Sequence, residues 1–221
     1  MRIKLFSLSL FFLVVFTAFS YSVAKEAWQK IDFDTTVKVQ DKIPRKWDLI
    51  FSYFSILGSA EITLGIAVIL ALLSIIRLKF WAFLGWLMIF PASFFEVFGK
   101  LVLYHPGPPV LFHRSIIATN LPSFYIHTDF SYPSGHITRT FFILTIFLLV
   151  VLCFIKNGLA KMAAVFLILF LGLMMALTRI YLGEHWLSDV LGGGLLGLSF
   201  GILAAAFILP KFRIAKQKNF R

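Results

Sequence analysis

Six apolar stretches, each long enough to cross a bilayer as a helix, dominate this sequence of 221 residues. Because a membrane-spanning helix needs about 20 mostly apolar residues, six spans with short connections use nearly the whole length. We therefore predict one membrane domain, an all-α integral membrane bundle of six transmembrane helices. The segments are residues 5–23, 48–76, 80–103, 136–155, 162–182 and 186–209, followed by a basic tail at 211–221.

The composition supports this fold class. Hydrophobic residues make up 60% of the chain and charged residues 14%, whereas soluble domains are about half apolar and about a quarter charged. These values exclude a disordered chain, a disulfide-rich secreted domain and a soluble nucleic-acid-binding domain. Cys153 is the single cysteine, so an intramolecular disulfide is impossible and a thiolate metal site is disfavoured.

The net charge of +11 comes from 21 Lys and Arg against 10 Asp and Glu. The basic residues stand at the ends of the apolar segments, where they mark the cytoplasmic side of a membrane protein. Their distribution predicts that both termini and the turn at 156–161 are cytoplasmic, and that the loop at 104–133 is outside. We therefore attribute the positive charge to topology in the cell membrane, and we expect no nucleic-acid partner.

The first apolar segment has two interpretations. It follows Arg2 and Lys4, and the small residues Ser22 and Ala24 stand where a signal peptidase would cleave. It is therefore either a retained transmembrane helix or a cleaved signal peptide. Both alternatives place residues 25–47, a polar connector with a short amphipathic turn, on the same side of the membrane.

Five ionisable residues fall at the same predicted membrane depth, although they come from four segments. Ionisable side chains at membrane depth are costly and usually functional, and chance would scatter them over both faces. The convergence predicts a functional site on the non-cytoplasmic face. The residues are Lys100, His136, Arg179, His185 and Asp189.

Two local patterns supply chemistry at this site. Ser134 can cap the helix that begins at His136, and the free N–H groups of its first turn would bind an anion that Gly135 lets approach closely. His185 and Asp189 are four residues apart, so on a helix the carboxylate would orient the imidazole. The alternatives are an ordinary cap beside an interfacial histidine, and interfacial charges that stabilise a helix hairpin.

Cationic side chains without a carboxylate cluster suit a phosphate better than a metal ion, so we predict no metal and no cofactor. A two-histidine zinc site is the rival interpretation. Its third ligand would come from His105, His113, Glu184 or Asp129.

Together these motifs resemble the type 2 phosphatidic acid phosphatase superfamily. Pro133-Ser134-Gly135-His136 and Arg179-x5-His185-x3-Asp189 are similar to its second and third signature motifs, and the resemblance covers about residues 48–205. It implies a helical core, a metal-independent reaction and a phosphohistidine intermediate on His185. The implied catalytic residues are His185, His136 and Asp189; the implied phosphate ligands are Lys100, Ser134, Gly135 and Arg179.

The chain departs from the family in the first motif, which is a lysine, six residues and then Arg-Pro. Counted from Lys100, that position is Gly107-Pro108, so the arginine is missing. We favour Arg139 as its replacement, because a helix places it on the same side as His136. The other candidates are His105 and Arg114, and Arg139 could instead be a helix-end arginine that extends to the interface.

The resulting functional hypothesis is a membrane hydrolase of phosphoric ester or diphosphate bonds. Its substrate would be a lipid phosphate of phospholipid metabolism such as phosphatidic acid, or a polyprenyl diphosphate such as undecaprenyl diphosphate. The alternatives are a lipid phosphotransferase using the same site and a non-catalytic lipid-binding relative that lacks the arginine. The sequence also predicts that Glu96 pairs with Lys100 one turn later, and that Gly193, Gly197 and Gly201 mediate close helix packing.

Overall fold

The computed structural model describes residues 2–118 and 130–209, and all regular structure within these ranges is helical. Asp129 and the basic tail therefore lie outside the described residues. Short 3₁₀ turns occur at Arg45–Trp47 and Val110–Phe112. The α-helices are α1 (Arg2–Ala24), α2 (Gln29–Lys42), α3 (Asp48–Ile56), α4 (Ala60–Ile76), α5 (Phe80–Leu87), α6 (Ile89–Val102), α7 (Gly135–Phe154), α8 (Gly158–Tyr181) and α9 (Leu187–Ile208).

Six helical units are long and apolar enough to cross a membrane. Four are the single helices α1, α7, α8 and α9. The other two are Arg45–Ile76, which includes α3 and α4, and Phe80–Val102, which includes α5 and α6. The prediction of an all-α membrane bundle with six transmembrane helices is confirmed.

Two of the six spans are interrupted. α3 and α4 are separated at residues 57–59, where the Ser59 hydroxyl caps α4 by accepting from the Ile62 N–H at 3.4 Å. Gly58 lies in this break, and a Cβ there would approach His136 Cδ2 to 3.0 Å. The break therefore lets backbone pack directly against a histidine of the predicted site.

α9 is the central helix, and its close packing against α7 depends on glycine. Gly193, Gly197 and Gly201 recur every four residues, and a Cβ at each would lie 2.4 to 2.8 Å from a backbone carbonyl oxygen of or just before α7. A real Cβ cannot come that close, so a side chain at these positions would push the two helices apart. The predicted packing role of this glycine stripe is confirmed, and it fixes the start of α9 against the start of α7.

The connector before the second span contains more structure than the sequence pattern predicted. In place of a short amphipathic turn it forms α2, whose buried residues Asp32, Thr36 and Gln40 recur every fourth position. The Gln40 amide donates to the carbonyl oxygens of Phe112 at 2.7 Å and Tyr181 at 2.9 Å. α2 is therefore held against the end of the bundle where α8 ends and α9 begins.

Candidate active site

The five ionisable residues that the sequence placed at one membrane depth stand at the ends of four helices. Lys100 is in the last turn of α6, His136 is the second residue of α7, and Arg179 is near the end of α8. His185 lies in the link to α9, and Asp189 is in the first turn of α9. All are buried except Lys100, which is half-buried.

His185 is oriented by Asp189. Its Nδ1 lies 3.1 Å from Asp189 Oδ2, and the same oxygen accepts from the Trp186 backbone N–H at 3.0 Å. A carboxylate held by both groups places the hydrogen of the imidazole on Nδ1 and leaves Nε2 with its lone pair. The predicted pairing of these two residues is present in the structure.

The surroundings of His185 favour the neutral imidazole. Burial lowers its pKa well below the ordinary 6.5, and the positive charges of Arg179 and Lys100 lower it further. A neutral imidazole at neutral pH can attack phosphorus, whereas an imidazolium cannot.

Glu96 joins two cations in the site. Its carboxylate lies 2.5 Å from Lys100 Nζ through Oε1 and 3.1 Å from Arg139 Nη1 through Oε2. The pairing with Lys100 was predicted from their spacing, but the second pairing was not. Arg139 is buried and ion-paired, so its guanidinium is not exposed on the surface of the bundle.

The N-terminus of α7 differs from the prediction in one respect. Ser134 occupies the N-cap position, but its hydroxyl makes no capping hydrogen bond and has no partner among the described residues. Its backbone N–H donates to the Asp189 carbonyl at 3.0 Å, which ties this loop to α9. A Cβ on Gly135 would lie 2.6 Å from Glu96 Oε1 and 2.9 Å from Arg139 Nη1, so a larger residue here would displace these two charged groups.

The sequence does not predict the two residues that hold Arg179 as its partners. Its guanidinium forms an ion pair with Glu184 and donates to Ser55 Oγ on α3 at 2.5 Å. Ser55 belongs to no recognisable motif. Its contact with Arg179 arises because α3 packs against α8.

Comparison with known proteins identifies the family. The sequence matches the PAP2 superfamily over residues 79–213, which is more than half of the chain. The protein belongs to the PAP2 superfamily. No curated protein matches the sequence significantly.

Two solved structures have the same fold. A transmembrane PAP2 type phosphatidylglycerolphosphate phosphatase from Bacillus subtilis aligns with a TM-score of 0.72 at 19% identity, covering 93% of this chain and 98% of that one. LpxE from Aquifex aeolicus aligns with a TM-score of 0.55 at 22% identity, covering 79% and 94%. The chain therefore has the fold of multi-pass membrane PAP2 proteins.

The candidates for the missing arginine of this PAP2 chain occupy three different environments. The Arg139 side chain reaches back to Gly135 and pairs with Glu96, which also pairs with Lys100. Arg114 donates to the Ile43 carbonyl at 3.1 Å and stacks over a tyrosine ring, with its Cζ 5.2 Å from the ring centroid. His105 contacts Ser188 and two carboxylates.

The described residues offer little to the rival zinc interpretation. Within residues 2–118 and 130–209, no group of three or more His, Cys, Asp or Glu is arranged to hold a metal ion. Glu184 pairs with Arg179, and His113 is exposed in its loop.

Proposed function

We propose that this PAP2 protein is a metal-independent membrane phosphatase that hydrolyses a lipid phosphate or polyprenyl diphosphate through a phosphohistidine. The observation that carries this proposal is the buried His185–Asp189 pair, whose imidazole is kept neutral while Arg179 and Lys100 stand close enough to act on its pKa. A neutral nucleophile beside fixed cations suits attack on a phosphate anion.

The proposed reaction has two displacements. Nε2 of His185 attacks phosphorus, a P–N bond forms, and the bond to the leaving oxygen breaks as His136 donates its proton to that oxygen. Water then attacks the phosphohistidine, gives a proton to His136 and releases His185. In this proposal Asp189 holds the imidazole in one tautomer throughout, which the His185–Asp189 contact of 3.1 Å supports.

The phosphate oxygens would be held by Lys100, Arg139, Arg179, the Ser134 hydroxyl and the backbone N–H of Gly135. Buried polar atoms are normally hydrogen-bonded. Three of these groups have a buried polar atom without a hydrogen-bond partner among the described residues: Ser134 Oγ, Arg139 Nε and Arg179 Nε. A phosphate oxygen would provide the missing acceptor, which supports an anion site at the start of α7.

A lipid substrate fits the position of the site in a multi-pass membrane protein. A site at helix ends lies near the headgroup layer, where a phosphate can enter while its acyl or prenyl tail remains in the bilayer. We include phosphatidylglycerolphosphate among the substrates to be tested, because the Bacillus subtilis protein of similar fold is described as its phosphatase.

The test is phosphate release by the purified protein in detergent, with phosphatidic acid, phosphatidylglycerolphosphate and undecaprenyl diphosphate as substrates. We expect hydrolysis of at least one of them, full activity in excess EDTA, and inhibition by vanadate, which mimics five-coordinate phosphorus. Activity that EDTA abolishes and zinc or magnesium restores would contradict the mechanism. Transfer of the phosphoryl group to an added acceptor lipid, with little phosphate released to water, would indicate the phosphotransferase. Binding without turnover would indicate a non-catalytic relative.

We further propose that both termini are cytoplasmic, that α1 is retained, and that the site opens on the opposite face. The distribution of Lys and Arg supports the orientation, and the hydrogen bond of Ser9 Oγ to the Ser199 carbonyl at 2.9 Å ties α1 to α9. In a Cys153→Ser background, Val110→Cys should react with an impermeant thiol reagent on intact cells, and Gly158→Cys only after lysis. The reverse pattern would invert the topology.

A further inference from the structure

A second cluster of buried titratable groups lies behind the His185–Asp189 pair. His105, in the loop after α6, places Nε2 at 3.0 Å from Ser188 Oγ, 3.5 Å from Asp189 Oδ1 and 3.8 Å from Asp32 Oδ2. All four side chains are buried. The proposed reaction assigns no role to His105, Asp32 or Ser188.

The hydrogen bonds of this cluster determine which atom of His105 carries a hydrogen. Asp32 accepts from the Ser188 backbone N–H at 2.8 Å and from the Ser188 hydroxyl at 2.7 Å. Because the single hydroxyl hydrogen of Ser188 is directed at Asp32, its oxygen can only accept from His105 Nε2. Nε2 therefore carries a hydrogen, which it donates to Ser188 Oγ, and Asp189 Oδ1 lies 3.5 Å from the same nitrogen.

We infer that His105 is a positioning residue of the reaction, which acts by holding Asp189 from the side opposite His185. Asp189 then lies between two imidazoles: Oδ2 faces Nδ1 of His185, and Oδ1 faces Nε2 of His105. Oδ1 accepts no hydrogen bond among the described residues, but the His105 N–H lies 3.5 Å away and is donated to Ser188, the neighbour of Asp189 in the first turn of α9. This contact restricts the orientations of Asp189, and therefore those of the imidazole that it directs. This inference rests on the proposed function.

Asp32 extends the arrangement to α2, which lies outside the matched residues 79–213. Burial raises the pKa of Asp32 to about 6, the Ser188 hydrogen bonds oppose the rise, and the charge of Asp189 adds to it. Both Asp32 oxygens accept hydrogen bonds from Ser188, and Oδ2 also faces His105. Through Asp32, α2 fixes the groups that hold His105.

The first test separates turnover from binding. His105 does not touch the phosphate in this arrangement, so His105→Leu should lower kcat about tenfold to a hundredfold and leave KM nearly unchanged. His105→Gln should recover part of the loss, because its amide N–H can replace Nε2–H. His113→Leu is the matched control, since His113 is an exposed histidine of the same loop, and it should behave as wild type.

The second test is a double-mutant cycle, read alongside thermal unfolding in detergent. If His105 acts through Asp189, His105→Leu should cost less than about twofold in an Asp189→Asn background. Asp32→Asn should likewise be non-additive with His105→Leu. Additive losses, a loss confined to KM, or wild-type turnover in well-folded His105→Leu would overturn the inference.

Two further outcomes keep the result interpretable. If His105→Leu does not fold, the same double-mutant cycle with Asp189→Asn can be measured with His105→Gln and with Asp32→Asn. If the wild-type protein releases no phosphate from any lipid and no phosphoenzyme forms, the proposed function fails. If the wild-type protein is active and replacing His105 does not change its turnover, only the positioning role of His105 is rejected.

Discussion

Replacing His185 with alanine should lower kcat by about 10⁴-fold or more, which is the scale of losing a nucleophile that no other group replaces. The imidazole is buried, oriented by Asp189 at 3.1 Å, and kept neutral by its surroundings. Phosphate release from the preferred lipid phosphate, with the unfolding temperature in detergent as a folding check, measures the effect.

His113→Ala is the matched histidine control and should retain full activity. The low pKa of His185 also predicts that the acid limb of kcat/KM lies below pH 6.5, because the imidazole remains unprotonated as the pH falls through its ordinary value. Substantial turnover in a well-folded His185→Ala protein would contradict the mechanism through a phosphohistidine on His185.

Arg139→Ala should lose roughly a hundredfold or more in kcat, corresponding to about 2–4 kcal/mol of transition-state stabilisation. A transferring phosphoryl group spreads negative charge over three oxygens, and Gly107 cannot supply the cation that the family places after Lys100. The Arg139 guanidinium lies beside Gly135 at the N-terminus of α7. Arg139→Lys should recover only part of the loss, because it lacks the bidentate fork.

Two controls separate phosphate binding from simple charge balance. Arg139 also neutralises Glu96 at 3.1 Å, so Arg139→Ala leaves that carboxylate facing Lys100 alone. If the double variant Arg139→Ala/Glu96→Gln regains full activity, Arg139 only offsets Glu96 and does not bind phosphate. Arg114→Ala should reduce kcat only slightly, because Arg114 contacts Ile43 and Tyr181. A severe loss of kcat in Arg114→Ala, together with normal kcat in Arg139→Ala, would indicate that Arg114 in the loop supplies the missing cation.

The spans and the motif residues could be predicted from the sequence because each has a local signal. Long apolar runs mark transmembrane helices, and ionisable residues at their ends are rare enough to identify a site. The spacing of Glu96 and Lys100 predicts their contact, as does the spacing of His185 and Asp189, because residues four apart share a helix face.

The remaining features depend on contacts between distant segments. The buried face of α2 is polar, with Asp32, Thr36 and Gln40, so hydrophobic periodicity could not reveal it. The recurrence of these polar residues at every fourth position is the only sequence feature that indicates this buried face. The partner of Asp32 is Ser188, which is distant in the sequence. Ser134 was expected to cap α7 from its residue type, but its hydroxyl makes no capping bond.

The central claim is that phosphate is transferred to His185, and a quenched-flow trapping experiment tests it most directly. In a His136→Ala variant, a ³²P-labelled nitrophenyl phosphate needs no protonation of its leaving group, whereas hydrolysis of the phosphoenzyme lacks its base. We predict an acid-labile, alkali-stable label that maps to His185 and is absent when His185 is also replaced by alanine. Turnover of this substrate without a trapped label, or a label on another residue, would contradict the account.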